Sequence, residues 1–157
     1  MLITNHVLAG AVVGHVVPGP VSAFAVGVAS HFAMDAVPHW GDGPLRNVLH
    51  IAVVDGLVGG SLLLLVARAT SRERRTTAVA GMLGAAFPDS DKPWDLFIGG
   101  SPFPAGFDRF HAGIQTESPR RLPQEFLVAG TLGLVVRRVL RRTRDELPGP
   151  LRITPYG

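Results

Sequence analysis

The sequence predicts an all-α fold: a compact bundle of about five helices, at least partly embedded in a membrane. Three observations carry this expectation. Hydrophobic residues make up 46% of the chain and charged residues 17%, against about 25% charged in ordinary soluble domains. Apolar segments are separated by Pro, Gly or Arg, and none shows the alternation of a half-buried strand. One segment is long enough to cross a bilayer unaided.

Each segment has local reasons for its limits. The first runs from about Asn5 to Val17; Thr4 or Asn5 can cap it, and "PGP" at 18–20 ends it. The second runs from Val21 to about Val37 and closes at Pro38. The third lies between Arg46 and Arg68, and at 1.5 Å per residue it would cross a ~30 Å hydrocarbon core. The fourth runs from Thr76 to Phe87 and stops at Pro88. The fifth runs from about Gln124 to Arg142, with its apolar part between Glu125 and Arg137. Residues 94–123 are rich in Pro and Gly, with one short helical candidate around "FDRFHAGIQ". Residues 1–144 then form a single helical membrane domain, and 145–157 a loose tail. The alternative architecture is a soluble bundle rich in Ala, Gly and Val. The run "GLVGGSLLLLVA" is hard to bury in so small a soluble fold, which favours the membrane. Gly10, Gly14, Gly56, Gly59, Gly60, Gly81 and Gly84 recur inside the helices. A mid-helix Gly costs roughly 1 kcal/mol in water, whereas in lipid it lets helices approach closely.

Composition narrows the chemistry. The chain has no cysteine, so disulfides and thiolate metal ligands are excluded. Lys92 is the one lysine, and the remaining basic residues are Arg, clustered near 72–75, 120–121 and 137–144. No aromatic residues interleave with them, so no nucleic-acid partner is expected. Beside apolar segments, Arg clusters mark the cytoplasmic side, which puts the C-terminal ends of the third and fifth segments there; Arg120 and Arg121 pull the other way. The start, "MLITNHVLAG", lacks the basic region of a cleaved signal peptide.

Against this background the ionisable residues inside apolar segments stand out. In "SHFAMDAVPHW", His31 and Asp35 sit one turn apart on one helix face. They can share a divalent cation, or Asp35 can orient His31; the alternative is a hydrogen-bonded packing pair. In "FPDSDKPW", Asp89 and Asp91 follow an apolar helix and offer two carboxylates to one or two cations, or form an ordinary solvated turn. His6 lies in the first turn of the first helix and is either a ligand or a cap. Asp55 lies mid-span in the third segment and is either functional or an interhelical hydrogen-bonding group. His111 shares a face with Asp108 and Gln115, and is a ligand or a surface residue. If His6, His31, Asp35, Asp89 and Asp91 converge, a sulfur-free cluster results that suits Zn²⁺ first, with Mn²⁺ or Fe²⁺ as alternatives. Such a cation could activate water for hydrolysis.

"NHVLAGAVVG", "VGVASHFAMDAVPH" and "GAAFPDSDKPW" resemble the LexA-regulated, membrane-bound metal-dependent hydrolase family, which has a distant similarity to zinc-dependent phospholipase C. The matched positions are His6, His31, Asp35, Asp89 and Asp91, and "FHAGIQ" with His111 resembles a tail motif of the shorter relatives. Many members carry His where this chain has Lys92, and the H-R-x-x-T-H-S segment of many members is absent. The resemblance implies an integral membrane hydrolase of a phosphoester or lipid-like substrate. Its metal would be held by His6, His31, Asp89, Asp91 and His111, with Asp35 orienting His31 and membrane lipid as its partner; Asp55, outside the matched motifs, joins Asp35 as a catalytic candidate because of its mid-span position. Two other functions remain open: a non-enzymatic membrane protein whose polar residues lock helices together, and an ion-handling protein with Asp55 on the path.

Overall fold

The N-terminal helix forms the axis of the molecule. In the computed structural model, which describes residues 1–145 and side chains through residue 142, α1 (Ile3–Val16) is buried continuously from Thr4 to Ala11. An apolar helix with no polar face needs neighbours on every side. Here they are α2 (Pro20–Asp35), α3 (Leu49–Ala69), α4 (Arg72–Ala86) and α7 (Leu122–Asp145). Pro20 starts α2 at a position where its missing N–H costs nothing, and Gly19 precedes it with φ of 75°.

Close approach to α4 sets the packing. A Cβ added to Gly10 would lie 2.7 Å from the Met82 Cα and 2.8 Å from the Ala85 Cβ. One added to Gly27 would lie 2.9 Å from the Ala85 backbone nitrogen. Only glycine lets α1 and α2 both reach the same stretch of α4. Because Gly10 meets Gly81–Ala85 while Gly14 meets Thr77 and Ala78, α1 and α4 run antiparallel. Val7, Leu8, Ala11, Val66, Met82 and Val136 form the apolar core of these helices.

The core is small beside what stays outside it. In α3 the buried residues are Gly59 and Val66, while Leu57 is 68% exposed and Leu65 60% exposed. Phe126 and Leu127 on α7 and Val21 on α2 are also exposed. Among the described residues α3 is the one helix long and apolar enough to cross a membrane, by length and composition.

The protein is all-helical, as expected, with no strand among the described residues apart from an isolated bridge between His39 and Glu117. The expected apolar segments become α1, α2, α3, α4 and α7. The Pro/Gly-rich stretch adds α6 (Ala105–Ile114), where a short helix is expected, and α5 (Asp91–Phe97), which the sequence reading leaves as a loop. Pro88 and Pro93 fall at first-turn positions, where they start helical turns rather than end them. Of the expected loose tail, Asp145 ends α7, and 146–157 lie outside the described residues.

Candidate metal centre

Four elements deliver the polar groups. The last turn and a half of α2 presents His31 and Asp35 on one face, both fully buried. The 3₁₀ turn Phe87–Ser90, directly after α4, presents Asp89. The end of α6 presents His111, followed by Gln115. The first turn of α1 presents His6. The ligating atoms of His31, Asp35, Asp89 and His111 all lie within 4.8 Å of one another, so these four could hold a metal ion. Groups more than fifty residues apart in sequence thus converge.

Asp35 is the hub. Its Oδ2 lies 3.2 Å from His31 Nε2 and 3.1 Å from His111 Nε2, and it accepts a 2.8 Å hydrogen bond from the Gln115 amide. Its Oδ1 lies 3.2 Å from His6 Nε2 and 3.1 Å from the Met1 amino group. Burial alone would raise the Asp35 carboxyl, but His111, His31, His6 and the amino group outweigh it and hold it well below the usual carboxylate range. Asp89 stands at the rim, its side chain 15% exposed, 3.9 Å from His31 and 3.8 Å from His111.

The His31 tautomer follows from its partners. Its Nδ1 lies 2.8 Å from the Ala85 carbonyl oxygen, which can only accept, so Nδ1 carries the ring proton. In the neutral ring, Nε2 then points a lone pair at the Asp35 carboxylate 3.2 Å away, with His111 Nε2 at 3.0 Å. Two arrangements relieve these facing acceptors: the neutral His111 ring carries its proton on Nε2 and donates to them, or a cation lies between them. The His6 ring stacks on His31 with centroids 4.0 Å apart; its Nε2 lies 3.2 Å from Asp35 Oδ1, and its Nδ1 is buried without a hydrogen-bond partner among the described residues. A set of imidazoles and carboxylates without sulfur fits a divalent ion.

Two expected site residues stand elsewhere. Asp55 accepts the Ile3 amide at 2.6 Å and the Thr4 amide at 3.1 Å, so it caps the N-terminus of α1 from the side of α3. Asp91 lies outside the mutually close set; its Oδ2 pairs with Lys92 at 2.8 Å. Both Asp91 and Lys92 line a cavity of about 430 Å³ that is bordered by His111, Gln115 and Ser101.

The sequence reading places Gln115 on the His111 face without a role and gives Glu125 none. Gln115 steadies Asp35 from one turn beyond His111. Glu125 is 1% exposed and accepts the Leu2 amide at 3.0 Å, the Asn5 side chain at 2.7 Å and the Trp40 amide at 3.0 Å. A lone acid at the head of the apolar run of α7 was the available signal for it. Nearby, His39 and Glu117 form a 3.8 Å ion-pair contact. Burial lowers the His39 imidazole, but Glu117 and the Val37 carbonyl more than offset this, so it is raised overall; Glu117 is lowered, first by His39.

No family model, no curated protein and no solved structure matches the chain. Fold and cluster together describe a helical protein with a candidate metal centre.

Proposed function

We propose that the protein is a small integral membrane, metal-dependent hydrolase of a phosphoester or lipid-like substrate. The observation that carries the reading is the inward-facing lone pair of His31 beside a buried carboxylate and a second imidazole. His31, Asp35, Asp89 and His111 would hold the ion, with His6 against them. When bound, a divalent cation supplies Lewis acidity and a more acidic water. Zinc is the first choice for this donor set, with manganese or iron next. The Ala85 carbonyl fixes the His31 ring, and Gln115 fixes Asp35. Asp89 stands at the rim; the adjoining cavity, which His111 also lines, offers Lys92 as its one basic residue among the carboxylates of Asp91, Asp95 and Asp108, so the bound ion itself would meet an anionic head. The exposed apolar faces of α3 and α7 support membrane residence, and the sequence resemblance supports the reaction class.

Metal analysis of the detergent-purified protein tests the reading, followed by a panel of phosphodiesters and phospholipids. Stoichiometric metal is expected, together with hydrolysis of one panel member, and both should be lost in Asp35→Asn. A folded, metal-free protein would mean that hydrogen bonds within the cluster satisfy it without an ion, and the polar residues would then serve only to lock the helices.

A further inference from the structure

We propose that the metal centre faces the non-cytoplasmic side of the membrane and takes its substrate, an amphiphile with an anionic phosphoester head, from that leaflet. The inference rests on the membrane reading above and adds a direction to it. Contacts between helix ends define the polarity of the bundle. Near the centre, Leu2 and Asn5 bond Glu125 at the start of α7, and Ile3 and Thr4 bond Asp55 in the N-terminal half of α3. At the other end, His15 lies 3.3 Å from Thr70, just beyond α3. Val66 and Val136 share one core there. Helices α1, α3 and α7 therefore run the same way, away from the centre.

Arginines gather at the far end. Arg68, Arg72, Arg74 and Arg75 surround the turn from α3 to α4, and Arg137, Arg138, Arg141 and Arg142 lie along the last turns of α7. The end bearing the metal centre has fewer basic residues: Arg46, Lys92, Arg109, Arg120 and Arg121. The positive-inside tendency assigns the more basic end to the cytoplasm, which leaves the centre outside. In sequence, Arg120 and Arg121 weaken such an assignment. In the fold they are two members of a minority, while both long Arg runs share one end.

Depth points to an amphiphile. Asp55, level with the start of α1, is about 9 Å along α3 from Leu49 at 1.5 Å per residue. The centre is therefore recessed below the end of the spanning helix. Beside it, Trp94 and Phe97 on α5, Ile98 just after it and Phe110 on α6 are exposed to the surroundings, apolar groups suited to the membrane interface. A substrate with its tail in that leaflet could bring its head to His111 through the cavity, where Lys92 stands among Asp91, Asp95 and Asp108 and the charge that receives an anionic head would be the bound ion's.

The chain has no cysteine, so single-cysteine variants read topology directly. Ser101→Cys marks the cavity, and Glu73→Cys marks the Arg end; both positions are exposed. In sealed bacterial spheroplasts, a membrane-impermeant maleimide should label Ser101→Cys strongly and Glu73→Cys only after lysis. Labelling of Glu73→Cys before lysis, or protection of Ser101→Cys, overturns the proposal. Carbonate extraction of the same membranes separates the causes: retained protein leaves the membrane reading standing, and released protein removes both. In liposomes of the Trp40→Phe variant, Trp94 should be quenched more by lipids brominated near the head than near the chain end. The opposite order overturns the substrate's approach from the interface.

Discussion

Replacing Glu125 with Gln changes one oxygen to an amide nitrogen and keeps the shape. Both carboxyl oxygens of Glu125 act only as acceptors: one takes the Trp40 amide at 3.0 Å, the other the Leu2 amide at 3.0 Å and the Asn5 side chain at 2.7 Å. A glutamine must turn its NH₂ toward one of these donors. With its oxygen facing Leu2 and Asn5, the Trp40 N–H meets another N–H and loses its partner. The site excludes water, since Glu125 is 1% exposed. An unpaired buried donor costs about 1–3 kcal/mol, and weakening the two remaining charge-assisted bonds adds to it, so Glu125→Gln should cost about 2–4 kcal/mol. Equilibrium unfolding in mixed micelles of rising sodium dodecyl sulfate fraction measures this. Metal affinity should fall too, because Leu2 and Asn5 hold the turn that carries His6. A shift below about 0.5 kcal/mol would refute the reasoning, since it would place Glu125 among ordinary surface substitutions.

Other outcomes follow from single contacts. Gly27→Ala should destabilise by about 1–3 kcal/mol because the new Cβ meets backbone rather than a flexible side chain; Gly60→Ala, with nothing within 4 Å, should stay neutral by the same unfolding measurement. Gln115→Ala should leave the fold intact and weaken metal binding by about 10–100-fold, read by competition with a chromophoric chelator. For His39 the raised imidazole contributes stability that is full below its ordinary 6.5 and lost as pH rises through its folded value. For Glu117 the lowered carboxyl contributes above its ordinary 4.5 and loses this as pH falls through its folded value. Wild type should therefore lose stability relative to Glu117→Gln as pH is raised above 6.5, and parallel curves would dismiss the pair.

Much of the centre was legible because helical spacing is a local rule. His31 and Asp35 differ by four residues, so a helix must set them together. Asp89 was legible because a carboxylate directly after an apolar helix has few ordinary roles. The treatment of Asp91 as its equal missed the geometry of the turn. In helical geometry residues two apart diverge by about 200°, so Asp89 and Asp91 cannot both face one ion. That divergence became visible only once residues 87–97 were seen to be helical. Asp55 shows a second limit. Sequence marks it as costly in an apolar helix, but not that the open amides of Ile3 and Thr4 lie beside it. Glu125 was hidden for the same reason, because its partners come from residues more than eighty positions away.

Packing and chemistry meet at Ala85. Its Cβ is the surface on which Gly10 seats α1, and its backbone nitrogen lies where Gly27 seats α2. Its carbonyl accepts the His31 Nδ1 proton and so turns the Nε2 lone pair inward. With both helices resting on one stretch of α4, the His6 and His31 rings come within 4.0 Å although they belong to different helices. Helices usually lie about 8–10 Å apart, set by the side chains between them. A methyl group at Gly10 or Gly27 would push one helix outward, and the imidazoles would part before any ligand was changed. Gly10, which reads in sequence as a membrane packing residue, and Gly27 are therefore also what sets the spacing of the centre, and loss of metal with every ligand intact is the mark of that link.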